Sequence, residues 1–170
     1  GLEWSVVESI PVHEDIKRRS GNFKQYINNY QASIQNLATC GVKVVTYNFM
    51  PVMDWTRTDL AYGLPNGAQA LFFEQVAFAV FDLFILHRTK AEKSYAEAER
   101  RAAKDYFDQL TTADKDRLTK NFIAGLPGGT TEGQTSLTSF RDLLNTYAGI
   151  DATTLRENLI AFLQEIVPVA

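Results

Sequence analysis

Cysteine occurs once in this chain, at Cys40, and histidine only twice, at His13 and His87. A lone thiol excludes an internal disulfide framework and fits a reducing compartment. Transition-metal centres gather three or four histidine, cysteine or carboxylate ligands around one point. These three residues make no such set: Cys40 closes a helical pattern at the end away from the strand exits, and His87 ends an apolar helix, where it complements the helix dipole. Nor do they assemble a Ser-His-Asp or Cys-His arrangement. Positive charge is also scarce, with Lys+Arg 17 against Asp+Glu 20 and a net charge of −3. No basic cluster is interleaved with aromatics, so nucleic acid is not an expected partner. The longest apolar stretch, Val76 to Leu86, contains Asp82 and falls well short of the roughly 20 residues that cross a bilayer. No basic segment followed by an apolar run opens the chain as an export signal would. The expectation is a cytoplasmic protein with no membrane partner.

What is present suffices for a real core: 170 residues, 45% hydrophobic and 12% aromatic. The first third reads as a β-α-β unit. Leu2–Ile10 is rich in β-branched and aromatic residues and is stopped by Pro11, which predicts a strand. From Phe23 the apolar positions Phe23, Tyr26, Ile27, Tyr30, Ile34, Leu37 and Ala38 recur at helical spacing, and Gly41 supplies a left-handed stop. Val42–Phe49 follows at once and begins apolar on both faces, as a strand buried in a parallel sheet does. Strands joined through a helix in this way are parallel, with a right-handed crossover.

Ligands in parallel α/β folds bind beyond the carboxyl ends of the strands. Glu8, Ser9 and His13 from the first exit are therefore expected beside Asn48, Asp54, Trp55 and Arg57 from the second. Tyr47–Leu60 (YNFMPVMDWTRTDL) is the densest run of chemically capable side chains, and an arginine, an aromatic and carboxylates at converging exits suit a binding pocket. For His13 the readings are a substrate hydrogen bond or a structural contact, not a metal centre.

The middle of the chain changes character. Asp59–Leu64 and Ala68–Phe72 flank Pro65-Asn66-Gly67, a hairpin signal. Phe73, Val76, Ala77, Val80, Phe81, Phe84 and Ile85 predict a core helix rather than a cofactor site. Ser94–Leu110 reads as a charged helix whose Glu97, Glu99, Arg100, Arg101 and Lys104 form a solvated face. A helix over 114–124, closed by Gly125 and Pro127, is followed by a loop at Gly128–Gln134, which lacks the lysine and flanking elements of a phosphate loop. Leu137–Tyr147 is a short amphipathic helix. The last helix, Thr154–Val167, opens with the form of a capping box at Thr154–Glu157. Two parallel strands with one crossover do not close a sheet, and a parallel barrel needs eight such units in about 250 residues, so the expectation is part of a larger domain.

Three segments carry a resemblance: WSVVESIPVHEDIKRRSGN at Trp4–Asn22, CGVKVVTYNFMPVMDWTRTDL at Cys40–Leu60 and RLTKNFIAGLPG at Arg117–Gly128. With TLRENLIAFLQEIVPVA at Thr154–Ala170, they resemble the D-mannonate dehydratases of hexuronate degradation from end to end. The resemblance implies an α/β chain forming a portion of a (β/α)8 TIM-type barrel, about two parallel strands with their crossover helix, plus a mainly helical insertion with a β-hairpin. The corresponding divisions are 1–58 for the β-α-β unit, 59–150 for the insertion and 151–170 for a barrel helix. It also implies a hydro-lyase that converts D-mannonate to 2-dehydro-3-deoxy-D-gluconate with Mn2+ or Fe2+, and a homo-oligomer. The family's metal ligands and acid/base residues lie on later strands and carry over to no residue here.

What the resemblance leaves to this stretch is substrate positioning. Arg57 offers a planar fork for the carboxylate or an adjacent hydroxyl, Asn48 and His13 bind hydroxyls, and Trp55 walls the pocket against water. Glu8, expected to be buried at the strand end, orients one of these groups. The alternatives are a sugar or sugar-acid isomerase or epimerase on a similar metal-dependent barrel, and a non-catalytic fragment.

Overall fold

The computed structural model describes residues 1–53, 56–124 and 136–170. The chain forms two compact units, one made of Gly1–Val52 with Thr146–Ala170, the other of Met53–Asn145. The first unit is thus discontinuous: the chain leaves it at Val52 and returns at Thr146.

In the first unit, β1 (Val6–Val7) and β2 (Val44–Val45) pair in parallel, with Val6 opposite Val44 and Val7 opposite Val45. Both strands are much shorter than the sequence suggests. A parallel ladder extends when each strand has neighbours on both sides, and among the described residues these two pair only with each other. Between them lie α1 (Glu14–Arg18) and α2 (Phe23–Thr39). The helical stripe of α2 forms as its spacing requires, and Gly41 takes the expected left-handed conformation at φ 81°. The unit is completed by α7 (Ala152–Ile166). Its core joins Val12 and Ile16 to Ile27 and Tyr30 of α2 and to Phe162 and Ile166 of α7. Tyr30 meets Phe162 edge-on at 5.1 Å between ring centroids, a favourable aromatic geometry. The start of α7 departs from the expected capping box. Asp151, not Thr154, is the cap, and its carboxylate accepts from the Thr154 N–H at 2.8 Å.

The second unit opens with the antiparallel hairpin β3 (Asp59–Gly63) and β4 (Gln69–Phe72). Its connection is the three-residue loop Pro65-Asn66-Gly67 that the sequence suggests, closed by the Leu64 N–H on the Ala68 carbonyl at 2.8 Å, with Gly67 left-handed at φ 83°. The expected helix from Phe73 is α3 (Gln75–Val80) running into a wider π turn at Phe81–Ile85, where the Leu86 N–H reaches back to the Phe81 carbonyl at 2.7 Å. A short 3-10 turn at Ala91–Ser94 precedes α4 (Glu97–Gln109), so the charged helix starts three residues later than its sequence suggests. Then come α5 (Thr112–Ala124) and α6 (Leu137–Asn145). Phe81 stacks on Phe122 at 3.9 Å and meets Phe140 at 6.2 Å, which makes the apolar stripe core as expected. The buried Asp82 carboxylate takes two hydrogen bonds from Arg88, at 2.8 and 2.6 Å, and one from the Tyr95 hydroxyl at 2.8 Å. Burial is the first reason that the Tyr95 phenol is pushed up, and its bond to Asp82 is the second. Arg141 donates to the Ile85 and Leu86 carbonyls, both at 2.8 Å, and so ties α6 to the end of the π turn. The expected Gly128–Gln134 loop and the helix stop at Gly125 and Pro127 lie outside the described residues.

Candidate functional site

Parallel pairing sends both strands of the first unit out at the same end, and the Thr46 N–H donates to the Val7 carbonyl at 3.0 Å just beyond the ladder. Glu8 and His13 follow one exit, and Tyr47 and Asn48 follow the other. Of the predicted residues, these belong to one unit, whereas Arg57 belongs to the other. Trp55 and Asp54 lie outside the described residues.

Side-chain placement is specific. His13 caps α1: its Nδ1 accepts the Asp15 N–H at 3.0 Å, and its ring lies flat on Tyr26 at 3.6 Å with an interplanar angle of 11°. Asn48 is exposed. Glu8 is also exposed, which corrects the expectation of a buried carboxylate. It follows a two-residue strand that, among the described residues, is paired on one side only, so no second strand covers it there. Arg57 is half-buried and donates to the Thr56 carbonyl at 3.0 Å. Val52, at the edge of the same segment, holds φ 61°, a conformation that a β-branched residue adopts only under strain.

Beneath the first exit lies a buried polar set that sequence reasoning did not single out. Glu14 and Lys17 are 5% and 6% exposed, and the Lys17 ammonium sits 2.6 Å from Glu14 Oε1. The Tyr147 hydroxyl donates to Glu14 Oε2, and Arg18 lies over the Tyr147 ring at 5.7 Å. Burial chiefly, and then the bond to Glu14, push the Tyr147 phenol well above its ordinary range. Asn158 of α7 donates to the Lys17 carbonyl at 2.9 Å, and Arg19 pairs with Glu165 at 3.0 Å. Helix α1 is therefore the hub that holds the first exit to both α7 and the returning chain. The Glu14–Lys17 spacing of three was the only signal of this set in the sequence.

On the same unit, an apolar groove of about 600 Å³ runs along β2 between α2 and α7, lined by Tyr30, Ile34, Val44, Tyr47, Leu163 and Ile166 among others. Tyr30 is 4% exposed, and its hydroxyl has no hydrogen-bond partner among the described residues. Burial first, and then Tyr47, push its phenol up to about 12. Among the described residues, no three His, Cys, Asp or Glu side chains gather where they could hold a metal ion, and no helix is long and apolar enough to cross a membrane.

These elements define a mixed α/β protein with a parallel strand pair, an antiparallel hairpin and a predominantly helical remainder. The D-mannonate dehydratase (UxuA) family matches residues 1–170. Mannonate dehydratase of Marinomonas sp. (strain MWYL1) is 56% identical over 169 residues, 99% of this chain and 43% of that protein. The corresponding protein of Chromohalobacter salexigens is 55% identical over 170 residues, 100% of this chain and 43% of its own length. The crystal structure of mannonate dehydratase from Streptococcus suis serotype 2 superposes with a TM-score of 0.60 at 29% identity, covering 100% of this chain and 34% of that one. The chain belongs to the D-mannonate dehydratase family, and it spans 43% of the length of the curated relatives it matches.

Proposed function

We propose that the full-length protein removes water from D-mannonate to give 2-dehydro-3-deoxy-D-gluconate, and that this chain supplies one wall of the sugar-acid pocket. The observation that carries the reading is identity of 55–56% to proteins named mannonate dehydratase across essentially every residue of this chain. In this reading Arg57 grips the carboxylate or a neighbouring hydroxyl, because its planar fork matches two oxygens. Asn48 and His13 bind hydroxyls, and Trp55 excludes water. Glu8, exposed here, serves only as a solvated carboxylate near the first exit.

The divalent metal that the family implies does not fit the described residues, since no ligand set gathers among them. Its ligands belong, in this proposal, to the rest of the longer polypeptide, and no step is assigned to it here.

We further propose that β1 and β2 are neighbouring strands of a (β/α)8 barrel. Val6 and Val44 are 45% and 50% exposed in a parallel pair whose fold class buries both faces, which supports additional strands and helices around them. A further strand along β2 would fill the apolar groove and give the Tyr30 hydroxyl a partner. Homo-oligomeric assembly and a cytoplasmic location complete the proposal.

The test is incubation of the purified full-length protein with D-mannonate and mass analysis of the product. Loss of one water supports dehydration, whereas an isobaric product supports an isomerase or epimerase and overturns it. Arg57→Ala is expected to lower kcat/KM for D-mannonate by about 100-fold or more, the scale of a lost charge-assisted hydrogen bond; near-normal kinetics would remove Arg57 from the pocket.

A further inference from the structure

We infer that the neutral His13 ring is fixed as its Nε2–H tautomer, and that it meets the substrate as a hydrogen-bond donor and not as a base. The substrate contact rests on the sugar-acid reading above; the tautomer does not.

A neutral imidazole carries one donor and one acceptor nitrogen, and the partner of one decides the state of the other. Here the partner of Nδ1 is a donor, the Asp15 N–H at 3.0 Å. Nδ1 must therefore present its lone pair, and the ring proton resides on Nε2. The Asp15 carboxylate offers no competing arrangement. Its Oδ2 is 4.0 Å from Nδ1, beyond hydrogen-bond reach, and its oxygens already accept from Arg18 Nη2 at 2.7 Å and the Asn22 N–H at 3.2 Å. Stacking on Tyr26 fixes the plane of the ring. A half-turn of the ring within that plane would forfeit the cap and leave a helix N–H without its acceptor.

The consequence lies on the other edge of the ring. The side chain is 33% exposed, and Nε2–H has no acceptor among the described residues. Along the chain it follows the exit of β1, and β2, parallel to it, leaves the sheet in the same direction toward Tyr47 and Asn48. A fixed N–H on a partly exposed ring suits an oxygen of a polyhydroxy acid, either a carboxylate or a hydroxyl lone pair. Abstracting a proton is a different matter. Nε2 already carries one, and Nδ1 can accept one only by releasing the first turn of α1. His13 thus selects for an oxygen at one position of the substrate and leaves proton removal to other groups.

The experiment combines ring spectroscopy with kinetics on the full-length protein. Long-range proton–nitrogen correlation of 15N-histidine-labelled protein reads the tautomer, with His13→Asn identifying the His13 signals by their loss. The expected pattern for the neutral ring is protonated Nε2 and bare Nδ1, with the Nε2 resonance moving on addition of D-mannonate. Asparagine retains an oxygen able to cap α1 but cannot reach as far as Nε2–H. His13→Asn is therefore expected to raise KM for D-mannonate about tenfold or more, with kcat within about threefold and an unchanged unfolding midpoint. A protonated Nδ1 in the neutral ring would overturn the tautomer. An Nε2 signal indifferent to D-mannonate, or an unchanged KM in His13→Asn, would overturn the substrate contact. Wild-type protein inert toward D-mannonate would overturn the dehydratase reading and the contact with it, while the ring spectrum would still decide the tautomer.

Discussion

Replacing Lys17 by methionine should destabilise the first unit more than any loss of packing would suggest. Lys17 and Glu14 are both more than nine-tenths buried and lie 2.6 Å apart. At an effective dielectric constant of about 20, their attraction is on the order of 6 kcal/mol. Desolvation costs several kcal/mol per ion and offsets most of it. Removing Lys17 alone restores none of that desolvation cost to Glu14, which stays buried with Tyr147 as its remaining side-chain donor among the described residues. The expected loss is about 3–5 kcal/mol. For a chain of this size that is a fall in Tm of roughly 6–20 °C. Glu14→Leu should cost a similar amount by stranding the ammonium. The triple variant Glu14→Leu, Lys17→Met, Tyr147→Phe removes the ion pair and the phenol bonded to it together and should return to within about 2 kcal/mol of the parent. Urea titrations followed by far-ultraviolet circular dichroism at neutral pH measure all three, with a constant m-value as the check on two-state behaviour. If the triple variant is as unstable as the sum of the single ones, desolvation is not the dominant opposing effect and the reasoning fails.

Alkaline pH should unfold the protein through its tyrosines. The phenols of Tyr30, Tyr95 and Tyr147 are all raised in the folded state, Tyr30 to about 12, so folding holds their protons more tightly than the unfolded chain does. The stability they contribute is fully present below about pH 10 and is lost as pH rises toward 12 and beyond, a fall that Tyr30→Phe should make shallower in urea titrations across that range. At the hairpin, Gly67→Val should cost about 1–2 kcal/mol because its φ of 83° disfavours a β-branched residue, although nothing lies within 4 Å of the added Cβ. Gly67→Asn should cost less than Gly67→Val in the same thermal melt, and equal losses would point to a steric cause.

Helices were legible in the sequence because their signal is local. The stripe from Phe23 to Ile34 defines α2 without reference to anything else in the chain. The π turn was not visible, because Val80, Phe81, Phe84 and Ile85 fit a regular helical face just as well. Strand lengths were misread for a different reason: Leu2–Ile10 and Val42–Phe49 have strand composition, but a ladder exists only where a neighbour supplies partners. The cap of α7 shows two local signals in competition, with Asp151 displacing the box that begins at Thr154. The Tyr147–Glu14 contact spans 133 residues, and no local pattern could have announced it. In the candidate site, the sequence offered His13 after the first strand exit, but its capping bond and stacking on Tyr26 emerge only from the three-dimensional arrangement.

The interrupted course of the first unit also sets an order of events during synthesis. Ile16, Ile27 and Tyr30 are translated early, yet Phe162 and Ile166, which cover them, follow only after all of Met53–Asn145 has been made. At ordinary elongation rates of about 5–20 residues per second, the stretch from Tyr30 to Phe162 keeps that apolar face waiting on the order of 7 to 26 s for its cover. Within these residues the second unit can therefore close before the first, which is completed only when α7 arrives. Chaperone shielding of α1 and α2, where it occurs, should track the delay before α7 emerges.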